Sequence, residues 1–141
     1  MRILDKSEVT EEIQDVSKAN NYGKELRVLI CGDRNWHNMA AIERELKKFD
    51  KDTIVIEGEC RGADILGRFV AEKLGLRVIP FPAKWHIYKR GGGPVRNQQM
   101  LDEGKPELVL AFHEDISESV GTIDMVNKAK RAGIKVVIIE R

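Results

Sequence analysis

The stretch Leu26–Trp36, LRVLICGDRNW, decides the fold. Its first part, Leu26–Cys31, is too short for a helix and shows no strict alternation, so it reads as a strand buried on both faces. The run ends on Gly32 and turns through Asp33-Arg34-Asn35-Trp36. After it, Ile42, Leu46 and Phe49 recur at helical spacing. A buried strand, a glycine turn and an amphipathic helix open a parallel β-α unit.

The same unit recurs downstream. Thr53–Ile56 reads as a second strand, and Leu66, Val70 and Leu74 mark a helix that Gly75 ends. Arg77–Phe81 reads as a third strand, followed by an irregular stretch and a helix around Arg96–Leu101. Leu108–Phe112 is the fourth strand, and a helix with Met125, Val126, Ala129 and Ala132 stops at Gly133. Lys135–Ile139 is the fifth. Strands alternating with helices predict an α/β single domain: a three-layer sandwich around a five-stranded parallel sheet, order near 3-2-1-4-5. Upstream, Val9, Ile13 and Val16 share a helical face, so residues 1–24 read as an extra N-terminal amphipathic helix and linker ahead of a domain at 25–141. That helix packs on the domain or on a second subunit, which makes a homo-oligomer one expectation.

Composition narrows the partners. With 24 Lys+Arg against 23 Asp+Glu, the formal net charge is +1, which argues against coating nucleic acid or membranes through bulk charge. No window has the roughly 18 apolar residues of a membrane span, and the start shows no secretory signal. Two cysteines without paired spacing, Cys31 and Cys60, fit a cytoplasmic setting. His37, His86 and His113 stand singly, so no metal site is expected.

In such sheets ligands bind beyond the carboxyl ends of the strands, where strand order reverses. The segments at those ends carry the glycines and cations: Gly32-Asp33-Arg34, Gly58 to Asp64 with Arg61 and Gly62, Lys84-Trp85 on to Arg96-Asn97, and Gly121-Thr122 with Asp124. This pattern predicts an anion-binding crevice. Glycines let backbone approach a ligand, helix starts at Gly62 and Gly121-Thr122 offer N–H groups to phosphate, and Arg34, Arg61 and Arg96 add bidentate contacts. Asp33, Asp64 and Asp124 suit ribose hydroxyls or a base edge. The competing reading makes Asp64 and Thr122 helix caps and Gly58 and Gly62 simple turn residues. In Pro82–Gly93, Trp85 and Tyr88 belong to a flap that stacks on a base, or they cover an apolar patch with the glycines as a hinge. His113 has no partner visible in the sequence, and Cys60 reads as a small filler. The chain has no GxxxxGK[ST], no GxGxxG after the first strand and no GxSxG elbow, against P-loop hydrolysis, standard nicotinamide dehydrogenases and α/β-hydrolase chemistry.

GDRNW, GECRGAD, FPAKW, GGGPVRNQQML and LVLAF followed by VGTIDMV together resemble the YspA-like branch of the SLOG superfamily. That superfamily also holds the LOG phosphoribohydrolases and the Rossmann-like domain of DprA. The resemblance runs from about Leu26 to Ile139 and implies a Rossmann-like domain binding a nucleotide or nucleotide-derived ligand, an ADP-ribose or NAD relative, with no further cofactor required. Gly32, Arg34, Gly58, Arg61, Gly62, Asp64, Arg96, Asn97, Gly121, Thr122 and Asp124 match its motifs, and Asp33 stands where serine or threonine is common. The segment His113–Val120 is longer and more acidic than the glycine pair the family usually has there. The catalytic glutamate of the LOG enzymes falls on Met125. The motifs thus point to a sensor or carrier; with 141 residues accommodating one nucleotide-sized pocket, the expectation for a sensor is that its output goes through a protein partner. A nucleotide N-glycosidase or phosphoribohydrolase using Asp124 and Arg96 is the alternative, and single-stranded DNA binding in the manner of DprA is a second.

Overall fold

The computed structural model describes residues 25–140; the N-terminal helix expected from the sequence lies outside them. Within them the chain runs β1 (Arg27–Gly32), α1 (Met39–Leu46), β2 (Ile54–Glu57), α2 (Ala63–Lys73), β3 (Arg77–Pro80), α3 (Trp85–Tyr88), α4 (Gly92–Gly104), β4 (Leu108–Phe112), α5 (Val120–Arg131) and β5 (Lys135–Ile139). The strands form one parallel sheet in the order β3-β2-β1-β4-β5. This is the Rossmann-like order read from the sequence.

Parallel strands need crossovers, and helices supply them on both faces. Side chains alternate along each strand, so Val28 and Ile30 face one layer while Leu29 and Cys31 face the other. The first set packs with Ile42 and Leu46 of α1 and Val70 of α2. The second packs with Met100 of α4 and Met125, Val126 and Ala129 of α5. α1 starts at Asn38, whose side-chain Oδ1 accepts from the Ala41 N–H. Burial on both faces holds for the central strands β1, β2 and β4. At the edges it fails: β3 is partly or fully exposed at every position, and β5 is buried only toward its end. An edge strand needs less apolar covering, so its short apolar run gave no warning of exposure.

The register sets up the site. β1 and β4 are paired from Val28–Leu108 to Gly32–Phe112, so both strands finish side by side. Chain order reverses between them, and Asp33 and His113 are the first residues past the two ends.

Two local readings change. The glycines at 92 and 93 are not a hinge: they form the first turn of α4. Trp85 and Tyr88 lie in a short helical turn, and the Trp85 ring packs on that glycine pair, close enough that a Cβ on Gly92 would come within 2.9 Å of it.

Candidate functional site

A cleft of about 520 Å³ opens at the carboxyl ends of β1 and β4. The loop after β1 forms one wall. Asp33 O accepts from both Trp36 N and Ala63 N, and Asp33 Oδ1 accepts from Asn35 N at 2.9 Å. Trp36 anchors this loop in the core, tilted against Phe112 with ring centroids 5.7 Å apart. The start of α5 forms the opposite wall: Ser119 caps it, its Oγ accepting from Thr122 N and donating to Thr122 Oγ1.

α4 supplies the floor. Arg96 and Asn97 are adjacent, charged or polar, and both buried. Arg96 donates to the Gly58 carbonyl, to Asn97 Oδ1 at 3.1 Å and to Cys60 Sγ at 3.5 Å. Asn97 Nδ2 donates to the Gly121 carbonyl at 3.2 Å and to Asp124 Oδ2 at 3.0 Å. The pair therefore links the loop after β2 to the start of α5. Asp124 Oδ2 also takes an ion pair from Lys128 at 2.7 Å.

Of the residues singled out in the sequence, Gly32, Asp33, Arg34, Arg61, Asp64, Trp85, Arg96, Asn97, Gly121, Thr122 and Asp124 line this cleft. Gly58, Gly62 and Lys84 do not. Gly58 lies against the Arg96 guanidinium, in an adjoining groove. Gly62, at φ +80°, lets the loop packing occur: a Cβ there would meet Asp33 O at 2.2 Å. The N–H that follows it, on Ala63, is already taken by Asp33 O, so the turn joins two loops. Lys84 lines a separate, smaller groove of about 250 Å³ with Tyr88, Val95 and Gln99. Asp64 does not cap its helix in the usual sense; its Oδ2 accepts from Gly58 N and Cys60 N and holds the loop after β2. Thr122 is likewise bonded within its own helix start rather than capping it.

The lining is not simply cationic. Arg34, Arg61, Arg90 and Arg96 share it with Asp33, Asp64, Asp124 and Glu118. Arg96, Asp64 and Asp124 are bonded internally at the floor, whereas Arg34, Arg61 and Arg90 are exposed at the mouth. Arg90, Glu118, Ser119 and His113 are lining residues that the sequence reading did not assign. For His113 the signal was present: it follows β4 directly, beside the strand ending in Gly32. The thiol of Cys31 is driven far up by burial, with Asp64 adding to the effect, and takes no part in chemistry.

Behind the loop after β2 lies a strained acid. Glu57 is fully buried; its Oε1 accepts from Glu59 N, and its Oε2 has no hydrogen-bond partner among the described residues. Burial, then repulsion from Asp64, raises its pKa to about 7. Burial raises that of Asp64 to about 6 against the pull of Arg96. Both folded values stand above the ordinary ones, so the folded state holds more protons between about pH 4 and 7. Stability is greatest at the acid end of that window and falls as pH rises through it. Glu57→Gln is expected to flatten this slope and to stabilise the protein at pH 8 by on the order of 2 kcal/mol. Urea midpoints measured from pH 4 to 8 check it; parallel curves for the two proteins would refute it.

A parallel sheet in this order, with its cleft at the switch point, defines a Rossmann-like α/β domain. Residues 26–88 match the profile of the family described as YAcAr, the YspA, cpYpsA-related SLOG family. In structure the chain is similar to DNA processing protein A (DprA) from Streptococcus pneumoniae, with a TM-score of 0.66 at 16% identity. That match covers 81% of this chain and 50% of the other, so the chain spans about half the length of its structural neighbour. No curated protein matches it in sequence. Among the described residues no helix is long and apolar enough to cross a membrane, and no group of His, Cys, Asp and Glu is placed to hold a metal ion.

Proposed function

We propose that the chain binds a nucleotide or nucleotide-derived ligand in the β1–β4 cleft and works as a sensor or carrier. The observation that carries this reading is the division of the cleft. Exposed Arg34, Arg61 and Arg90 and the Ser119-capped start of α5 meet at its mouth, where a phosphate gains charge-assisted contacts. Trp85 offers a fixed aromatic face at the rim, and the cavity has the size of a small-ligand site. The family match supports the ligand class.

Binding is favoured over hydrolysis by the floor. Asp124 is held by Lys128 and Asn97, and Arg96 donates from each of its three nitrogens to Asn97, Gly58 and Cys60, joining loops. The position of the LOG glutamate is Met125, buried in the core. Calorimetry with AMP, ADP-ribose and NAD tests the reading: one of the three binds below millimolar, and Arg34→Gln weakens it about tenfold or more. No binding tighter than millimolar by any of them overturns it. Release of free base on incubation, lost in Asp124→Asn, would make the chain the N-glycosidic hydrolase instead.

A further inference from the structure

The first residues beyond β1 and β4 face each other across the cleft with complementary open groups. Asp33 Oδ1 is occupied by Asn35 N, and Oδ2 points toward His113. His113 is buried, and its Nδ1 accepts from the Asp115 N–H at 3.0 Å. A nitrogen that accepts a backbone N–H carries no proton, so in the neutral ring the proton sits on Nε2. Nε2 and Asp33 Oδ2 are 3.9 Å apart, too far for a hydrogen bond, and neither has another hydrogen-bond partner among the described residues. Both residues line the cleft.

We propose that Asp33 and His113 form a hydroxyl-selective subsite that takes a sugar hydroxyl of the bound ligand; the inference rests on the nucleotide reading above and names which part of the ligand this wall reads. One oxygen about 2.8 Å from each group closes the gap. It must donate to the carboxylate and accept from the imidazole N–H, which a hydroxyl does. A phosphate oxygen only accepts, and it would face the carboxylate charge. An amino group only donates, and it would oppose the imidazole N–H. The phosphate thus belongs at the mouth, and the sugar lies inside it against this pair.

The test is calorimetry with AMP, 2′-deoxy-AMP and 3′-deoxy-AMP on the wild type and on Asp33→Asn. Asparagine keeps the oxygen that accepts from Asn35 N and presents an amide donor where Oδ2 stood. The wild type is expected to prefer AMP over one deoxy analogue by about tenfold, the rest being recovered by a water that refills the gap. In Asp33→Asn that preference disappears because AMP weakens while the deoxy analogue is unchanged. Equal wild-type binding of all three, or a preference that survives in the variant, overturns the subsite and leaves the nucleotide reading standing. Absence of binding by all three overturns the subsite, and the nucleotide reading falls with it when ADP-ribose and NAD also fail to bind.

Discussion

Arg96→Ala is expected to lower stability by about 3 kcal/mol, roughly 10 °C in Tm for a chain of this size. The guanidinium is buried and serves three acceptors: the Gly58 carbonyl, Asn97 Oδ1 and Cys60 Sγ. It is also the main positive influence on the buried Asp64 carboxylate. Removing it strips a buried acid of its counter-charge and leaves a buried carbonyl unpaired, and each of these costs more than the net worth of a bond. Arg96→Lys recovers only a small part, because an ammonium cannot serve three acceptors with a planar fork. Differential scanning calorimetry without ligand decides the matter. A melting point within 2 °C of the wild type would mean that Arg96 is free to act on a ligand, as its assignment as a catalytic candidate requires.

Gly32→Val is expected to abolish folding or to destabilise by about 3–5 kcal/mol. Gly32 has φ +153°, and a Cβ would lie 2.1 Å from the Phe112 carbonyl oxygen and 2.9 Å from Ala63 Cβ. The clash is with backbone of β4, which cannot move without breaking the β1–β4 pairing that builds the cleft. Gly121→Ala is the matched control. Nothing lies within 4 Å of a Cβ there, and the residue is in a helix, so its melting point is expected unchanged or slightly higher. Equal losses in the two variants would show that glycine content, rather than the close approach at Gly32, governs this edge.

The sheet was legible because burial writes itself into periodicity. The runs at Leu108–Phe112 and Lys135–Ile139 coincide with β4 and β5, while β1 and β2 begin and end one residue later than their apolar runs. With the order known, the carboxyl edge and most of its residues followed. What was not legible depends on partners distant in sequence. Arg96 looked like a free cation, yet its carbonyl acceptor is 38 positions away. Lys84 was placed with the cations of the cleft, but the helical turn at Trp85–Tyr88 leaves it outside. Glu57 gave no sign of burial, since a carboxylate closing an apolar strand reads as the strand's end. The charge balance of the cleft also escaped notice, because Glu118 reaches it through the turn after β4.

For the sensor or carrier proposed above, Arg96 and Asn97 have a consequence. Side by side on α4, they tie the loop after β2 to the start of α5, one half of the sheet to the other. A sensor whose base is tied in this way would not report occupancy by opening or closing it. Its message has to be written at the lip, where Trp85, Tyr88 and Val95 stand partly uncovered beside Arg90.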